Sequence, residues 1–240
     1  PFPFTTAINF TFSPLSFFPF LFIILLIIFK LPETNLDRQN GSIKETFGRF
    51  KSILENRYFM AMTLIQGFMM SALFAYIAGS SFVLQDLYGL SVPAFSGVYA
   101  LNGFGILLGA SLSGKLAEKY SAWQILKWFM MFSMVGGLLL IVSLFLPKSI
   151  WLTILAFFLI VAPVGGINSM TTALAMAREH QDAGTASGIL GLTRFAMGGI
   201  MSPLVGLGGT TTMVPLVIVI VVVQLLGAGI YAVMQHKQPA

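Results

Sequence analysis

Long apolar runs dominate the chain from Tyr58 onward, and short polar segments separate them. Each run has roughly the 20 residues that a helix rising about 1.5 Å per residue needs to cross the roughly 30 Å hydrocarbon core of a bilayer. Helices are favoured there because lipid offers no hydrogen-bond partner to an unpaired backbone group. The pattern predicts an all-α membrane protein with six spans, at about residues 58–84, 95–116, 123–146, 150–175, 183–206 and 213–234.

The chain before Tyr58 follows a different pattern. A shorter apolar run containing Pro19 reaches Phe29, and we interpret residues 17–30 as the end of a preceding transmembrane helix. Residues 1–16 are rich in Phe and Pro and lack the charged start of a secretory signal, so they stay unassigned. Because the chain starts with Pro instead of Met, we expect an incomplete N-terminus.

The segment 31–57 is the long polar stretch that connects these two apolar regions. Within it Ile43, Phe47, Phe50 and Leu54 recur at helical spacing, and the basic residues point elsewhere on the same helix. This pattern favours an amphipathic helix that lies on the membrane surface. The alternative is a solvated connector with some helical content.

Basic residues concentrate in alternate polar segments, and this asymmetry predicts the orientation. Cytoplasmic loops carry an excess of Lys and Arg. One side receives the connector, two later turns and the tail 236–240, and it carries or adjoins Lys30, Arg38, Lys44, Arg49, Lys51, Arg57, Lys115, Lys119, Lys127, Arg178 and Lys237. The other side has Lys148 alone. We therefore expect both ends of the six-span block, 58–235, to face the cytoplasm.

The composition supports a bilayer as the surrounding medium. Only 9% of residues are charged and 57% are hydrophobic, and the mean hydropathy is +0.89, whereas soluble domains carry about 25% charged residues. The net charge of +5 forms no dense basic patch, so nucleic acid is not an expected partner. No Cys is present and the two His residues lie in polar stretches, so we expect no metal site and no cofactor.

Arg194 lies in the middle of the fifth predicted span. A charge at that depth costs about 2.5–3.5 kcal/mol on insertion scales, so the side chain should face protein or a watery cavity. It would bind an anionic group or pair with a carboxylate there. The structural alternative is a partner to backbone carbonyls or a neighbouring helix. None of the six spans carries Asp or Glu at mid-membrane depth.

Four amide side chains also lie deep in the predicted spans: Gln66, Asn102, Asn168 and Gln224. Amides in lipid normally join helices by hydrogen bonds, which is the simpler interpretation for each. Asn168 has the better functional case, because Pro163 and two glycines interrupt its helix just before it. Interrupted helices near mid-membrane expose backbone groups to substrates in transporters, although a plain proline kink explains the same residues.

Small and aromatic residues mark further packing surfaces. Gly105 with Gly109, and Gly184 with Gly188, have the spacing that lets helix backbones approach closely. The aromatic residues Phe74, Tyr76 and Phe82 lie on the first span. They line an apolar pocket or, as aromatics on spans more often do, contact lipid and neighbouring helices.

Several segments together resemble the C-terminal half of a major facilitator superfamily transporter of the Bcr/CflA drug-exporter type. LPETN (31–35) is similar to the cytoplasmic end of the sixth helix of that family, residues 74–116 to its seventh and eighth helices, and 183–200 to its eleventh. GKLAEKYSAW (114–123) resembles the second copy of the superfamily's loop motif. The resemblance covers about residues 17–235.

Three features depart from the family pattern. Ser81 stands where the family commonly has Pro, and Arg194 stands where an uncharged polar residue is expected. Residues 1–16 match no part of that pattern. The departures put the local bend at Ser81 and the charge preference of the site in question.

The resemblance implies a twelve-helix carrier, with five further helices before this chain in a missing N-terminal lobe. It implies export of small amphipathic drugs across the bacterial inner membrane, driven by inward proton flow, with a substrate site between the two lobes. This chain would supply one wall of that site, from Phe74, Tyr76, Asn102, Asn168 and Arg194. Contacts of Lys115, Glu118 and Lys119 would gate the cytoplasmic side, or these residues are plain topology anchors.

Two alternatives stay open, and a third, an enzyme, is not supported by the sequence. The same fold serves nutrient uptake carriers, since the direction of transport is not encoded in these helices. The isolated chain would be inactive if it is a truncated product. A membrane-embedded enzyme needs nucleophiles, acids or metal ligands gathered at one depth, and this chain lacks them.

Overall fold

A computed structural model describes residues 14–30, 43–146, 149–177, 179, 182–208 and 212–236. Nearly all of these residues are helical, and they contain no β-strand. The stretch 1–13, the segment 31–42 with its LPETN motif, and the tail from residue 237 lie outside the described residues. Lys148, Arg178 and His180 lie outside them as well.

The chain divides into two compact units, and the first comprises residues 1–43. Its described helix is α1 (Pro14–Lys30), which begins three residues before the predicted segment 17–30 and ends at the same residue. The side chains of residues 21–30 are exposed. An apolar helix with exposed side chains suits contact with lipid or with another helix.

The second unit, residues 44–240, contains the six spans. Its helices in chain order are α2 (Ile43–Glu55), α3 (Arg57–Ser81), α4 (Val92–Leu116), α5 (Ala122–Phe145), α6 (Ile150–Val161), α7 (Pro163–Met176), α8 (Ala183–Val205) and α9 (Val214–Gln235). A π-helical turn, Phe82–Leu87, continues α3, and a 3₁₀ turn, Gly206–Gly208, follows α8.

The prediction of six membrane-spanning helices is confirmed. Among the described residues, six helical segments of 22 to 31 residues are long and apolar enough to cross a bilayer. Two of them differ from the pattern. The first runs from Arg57 to Leu87 because the π-helical turn extends it, and the fourth, Ile150–Met176, consists of α6 and α7.

Local sequence signals explain where the helices begin and end. Asn56 caps α3 by accepting hydrogen bonds from the backbone N–H groups of Tyr58 and Phe59. Ser121 and Gln124 form a capping box at the start of α5. Gly89 has a φ of 71°, which glycine tolerates, and it lets the chain turn between the first and second spans.

Pro163 separates α6 from α7, as the sequence predicts. Proline has no backbone N–H, so the hydrogen bond that would continue the helix at this position is missing. The residue between the two helices, Ala162, keeps helical dihedral angles of −57° and −41°, so the chain continues across the membrane. The fourth span is therefore one crossing with an interruption near its middle.

Glycines let α4 and α7 pack almost backbone to backbone. A Cβ atom added to Gly109 would collide with the carbonyl oxygen of Ala162, and one added to Gly165 with that of Ile106. One added to Gly105 would lie 2.7 Å from the Ala162 Cβ. The predicted close packing at Gly105 and Gly109 is confirmed.

The second glycine pair behaves differently. No described atom outside the local helix lies within 4 Å of a Cβ built on Gly184 or Gly188, so the described residues do not supply a close-packed neighbour there. The spacing creates a surface that a backbone can approach, but no helix of this unit occupies it.

Two apolar clusters fill the unit, one toward each end of the bundle. The spans are unequally covered. In the spans formed by α4 and α8, only 17% and 22% of the most apolar 18-residue stretch is buried inside the structure, against 39% to 56% in the other four spans. These two spans also have the lowest hydropathy of the six. The least apolar spans are thus the least covered ones.

The amphipathic helix α2 is present and docks on the spans through a few residues. Ile53 is buried against the apolar cluster that also contains Phe59. Arg49 forms a 3.5 Å ion pair with Asp182, ahead of α8. Of the predicted apolar face, Phe47, Phe50 and Leu54 are exposed, and the side chain of Ile43 lies outside the described set.

Candidate functional site

A polar cluster joins α3, α7 and α8. Gln66 on α3 donates through Nε2 to the side-chain oxygen of Asn168 on α7, and at 2.9 Å to the Thr172 hydroxyl. Arg194 on α8 donates through an η-nitrogen to the same Asn168 oxygen at 3.1 Å. Asn168 therefore holds the amide of one helix and the guanidinium of another.

The interruption at Pro163 positions Asn168. Gly165 and Gly166 follow it and lie against Ile106 of α4 and the ring of Phe129 on α5. With this side of α7 packed closely on its neighbours, Asn168 lies on another side, where α3 and α8 supply its partners. The interruption and the glycines thus act as positioning elements for the amide.

Arg194 lies at the midpoint of α8, eleven residues from Ala183 and eleven from Val205. Its guanidinium carbon lies 5.0 Å from the ring centroid of Phe195, within the range of a cation–π contact. Its Nε atom is buried and has no hydrogen-bond partner among the described residues. The same holds for the side-chain oxygen of Gln66. The cluster thus leaves one donor and one acceptor unsatisfied.

Phe74 belongs to the same neighbourhood. Its ring packs edge to face on Phe195 at 6.0 Å between centroids. Gly198, one turn beyond Arg194, leaves room for the Phe74 ring, which a Cβ at that position would strike. Phe74, Asn168 and Arg194 are therefore three predicted site residues that the fold brings to one region between α3, α7 and α8.

Tyr76 and Asn102 form a separate pair. The Asn102 amide donates to the Tyr76 hydroxyl at 2.8 Å, and both side chains are at least 98% buried. The Tyr76 ring stacks on Tyr99 and meets Phe157 edge to face. In this structure the pair fastens α3 to α4 and lines no open surface. Its role in substrate binding stays a prediction.

The predicted gating residues lie at the turn between α4 and α5. Lys115, Glu118 and Lys119 are all exposed. No ion pair joins them to one another or to other residues of the described ranges. Their side chains are free to contact another surface at this end of the bundle.

The sequence missed two members of the polar cluster as site residues. The sequence shows that Gln66 is an amide deep in a span, but it does not show that Gln66 lies next to Asn168. Thr172 carries a usable signal, since it lies four residues after Asn168 and so on the same helical face. Within the described parts of the chain, no three His, Cys, Asp or Glu side chains come together as a metal site would require.

Comparison with known proteins identifies the family. Residues 4–203 match the sequence profile of the Major Facilitator Superfamily. This chain belongs to the Major Facilitator Superfamily. The match begins inside the stretch 1–16 that the sequence left unassigned, and it ends at residue 203, within the fifth span. A superfamily member with six apolar spans is a multi-pass membrane protein.

Two curated relatives are similar to this chain. It is 30% identical over 211 residues to the uncharacterized MFS-type transporter YdgK of Bacillus subtilis, an alignment covering 86% of this chain and 52% of that protein. It is 26% identical over 182 residues to a bicyclomycin resistance protein homolog of Haemophilus influenzae, covering 75% and 46%. The chain thus spans about half the length of these curated relatives. Neither relative is named as an enzyme.

Proposed function

We propose that this chain is the C-terminal six-helix lobe of a Bcr/CflA-type carrier that exports small amphipathic drugs across the bacterial inner membrane in exchange for protons. The name of the Haemophilus relative includes resistance to an antibiotic, bicyclomycin, and supports a drug as substrate. The resemblance of residues 74–116 and 183–200 to that exporter type supports the same assignment.

The observation that carries the proposal is the polar cluster at mid-span. Substrate sites of secondary transporters lie near the bilayer midplane, where interrupted helices meet. Here Arg194 lies at the centre of α8, and its acceptor Asn168 follows the interruption between α6 and α7. The rings of Phe74 and Phe195 lie beside it. A polar group flanked by aromatic rings suits an amphipathic substrate.

The exposed faces of α4 and α8 support a second lobe as partner. A lipid-facing helix should be the most apolar of the bundle, yet these two spans are the least apolar and the least covered. Among the described residues, a Cβ built on any of these glycines of the two spans would meet nothing within 4 Å: Gly97, Gly103, Gly114, Gly184, Gly188, Gly191 and Gly199. Small residues on a membrane helix permit close packing by another helix. We assign that helix to the missing N-terminal lobe.

The gating residues fit the same arrangement. Lys115, Glu118 and Lys119 are exposed at the end of α4, one of the two poorly covered helices. Charges at that place would contact the second lobe in one conformation and lose the contact in the other, which biases the two states by the difference. Proton coupling needs an acid that changes its protonation, and none lies at mid-depth in these six spans. We place it in the second lobe.

The experiment uses the complete reading frame that contains this chain. Everted inner-membrane vesicles should accumulate at least one of two dyes, cationic ethidium or the carboxylate fluorescein, when a pH gradient is imposed, and a proton uncoupler should abolish the accumulation. Accumulation that an uncoupler leaves unchanged contradicts the proposal. Accumulation in right-side-out vesicles alone indicates an uptake carrier. A third sample, this chain expressed without the rest, tests whether the six-helix lobe is inactive by itself.

A further inference from the structure

We infer that Arg194 is a carboxylate receptor: a carboxylate that comes from outside this chain binds its guanidinium at mid-membrane. The inference rests on the proposed function, because it gives the chemical class of ligand for the site between α3, α7 and α8. It also makes Arg194 the residue that determines the charge preference of the carrier.

The first argument is that no negative charge among the described residues compensates the positive charge of Arg194. A cation at the centre of a span is costly to place in lipid, and intramembrane charges usually pair with one another. Within the described residues, Arg194 contacts only a neutral amide oxygen, on Asn168, and an aromatic ring, on Phe195. Arginine has five N–H donors and cannot be deprotonated in proteins. One neutral acceptor and one ring do not neutralise it.

The second argument is that no acid of this chain's spans lies at the right depth. Asp86 is the acidic residue inside the six spans, at the exposed end of the first one. Gln66, which belongs to the polar cluster, lies 20 residues earlier on the same span. Twenty helical residues correspond to about 30 Å, roughly twice the distance from the bilayer midplane to the edge of the hydrocarbon core, so Asp86 cannot reach a site at mid-membrane depth. The negative charge must therefore come from another molecule or another part of the carrier.

The third argument is the way the guanidinium is held. Asn168 binds one η-nitrogen and is itself fixed by Gln66, while Phe195 lies beside the guanidinium. Asn168, Gln66 and Phe195 thus hold the guanidinium in place without neutralising its charge. Arginine side chains recognise carboxylates by two parallel N–H···O bonds, and a planar carboxylate matches that geometry. The Arg194 side chain is only partly buried, so part of it is accessible from the open face of α8.

The aromatic rings narrow the ligand further. Phe74 and Phe195 pack on each other beside the cation. A ligand that places a carboxylate on Arg194 would bring the rest of its body against these rings. This favours an aromatic or alkyl weak acid. The same carboxylate chemistry is available from an Asp or Glu side chain of the second lobe, and the experiment separates the two sources.

The test measures binding independently of transport. The complete carrier is purified in nanodiscs, and its affinity for 2-naphthoate and for the neutral analogue 2-naphthamide is measured by equilibrium dialysis. Charge-assisted hydrogen bonds contribute about 1.5–3 kcal/mol, which corresponds to at least about tenfold in affinity. We expect naphthoate to bind about tenfold more tightly than naphthamide. Arg194→Gln should remove this difference by weakening naphthoate alone, and Arg194→Lys should keep part of it.

A matched control removes a charge elsewhere. Lys127 is exposed on α5 and takes no part in the hydrogen bonds of the polar cluster, so Lys127→Gln should bind both probes as the unmodified carrier does. Size-exclusion profiles and melting temperatures establish that each variant is folded. If Arg194→Gln does not fold, Arg194→Lys still tests the inference, since a lysine keeps the charge and loses the two-pronged geometry.

The outcomes are distinguishable. Tighter naphthoate binding that depends on Arg194 assigns the carboxylate to the substrate. A second outcome assigns the carboxylate to the carrier itself. In that case the two probes bind equally, and the melting temperature that Arg194→Gln lowers recovers when a mid-span acid elsewhere in the reading frame is changed to its amide. Equal affinities without such recovery overturn the inference. Uncoupler-sensitive dye transport in that last case leaves the proposed function intact, whereas Arg194-dependent binding without transport overturns the proposed function alone.

Discussion

The amide of Asn102 donates a 2.8 Å hydrogen bond to the hydroxyl of Tyr76, and this bond connects the first two spans at a fully buried position. The side-chain oxygen of Asn102 has no partner among the described residues. Among the described residues, the Tyr76 hydroxyl is thus the hydrogen-bond partner of the Asn102 side chain. The hydroxyl is a structural element of the α3–α4 contact.

Replacing Tyr76 by Phe should destabilise the bundle. The ring contacts with Phe157 and Tyr99 remain, but the Asn102 amide loses its acceptor in a place that water does not reach. Leaving a buried polar group unsatisfied costs about 1–3 kcal/mol. The intrinsic Trp fluorescence melting temperature in detergent should fall clearly. Tyr99→Phe is the control, because that side chain is 42% exposed, and an equal loss in both variants contradicts the interpretation.

Glycine contacts between α4 and α7 give a second prediction. Gly109→Ala and Gly165→Ala each place a methyl group against a backbone carbonyl of the facing helix, which a side-chain rotation cannot relieve. Overpacking of this kind costs typically about 1–3 kcal/mol. Both variants should melt earlier than the unmodified protein.

The second glycine pair supplies the control for these variants. Gly188→Ala adds the same methyl group where no described atom outside the local helix lies within 4 Å. The variant should keep the stability of the six-span unit, or gain slightly from the better helix propensity of Ala. A loss as large as that of Gly109→Ala would mean that α8 already packs on another helix at this position.

These two pairs also show how far the sequence predicts the fold. Gly105 with Gly109 and Gly184 with Gly188 have identical spacing, yet among the described helices a neighbour lies against the first pair alone. Spacing establishes that a helix can be approached closely, whereas the contact itself depends on how each helix is rotated about its axis. The six spans and the interruption at Pro163 were predictable because length, hydropathy and a missing N–H are local properties.

The polar cluster was predictable only in part, for the same reason. The depth of Arg194 follows from its position in its span, and Asn168 stands out because of the residues before it. That Asn168 accepts from both Gln66 and Arg194 depends on three helices far apart in sequence. The face of α2 shows the same limit, since Ile53 is the buried residue there and Phe47 is exposed.

Asn56 joins the connector helix to the spans, and it gives a third prediction. It caps α3 through its side-chain oxygen, and its amide donates at 2.6 Å to Glu179 near the start of α8. Asn56→Ala removes both interactions, and loss of a cap alone costs about 1 kcal/mol. Hydrogen exchange at the first backbone amides of α3 should accelerate several-fold.

A serine at the same position separates the two roles. Asn56→Ser keeps a cap acceptor and loses the amide that reaches Glu179. Exchange at the start of α3 should then stay close to that of the unmodified protein, while α2 becomes more mobile relative to the spans. If Asn56→Ser exchanges as fast as Asn56→Ala, the contact with Glu179 is the more important of the two.

The orientation of the chain gives the last prediction, and the absence of Cys makes its test direct. Because the chain has no Cys, a single introduced thiol is its only labelling site. Ser91 and Lys119 are exposed in the two turns that flank α4, on opposite sides of the bundle. The excess of basic residues predicts that the turn with Lys119 faces the cytoplasm. A membrane-impermeant maleimide should therefore label Lys119→Cys in everted vesicles and Ser91→Cys in right-side-out vesicles.

The two sites must respond oppositely, because one 25-residue helix of about 37 Å separates them and crosses the hydrocarbon core. Labelling of both thiols from the same side would show that α4 does not span the membrane. The reverse pattern would show that the basic turns face outward. In that case Lys115, Glu118 and Lys119 would lie on the external side, and a cytoplasmic gate at these residues would be excluded while the six-span fold stays unchanged.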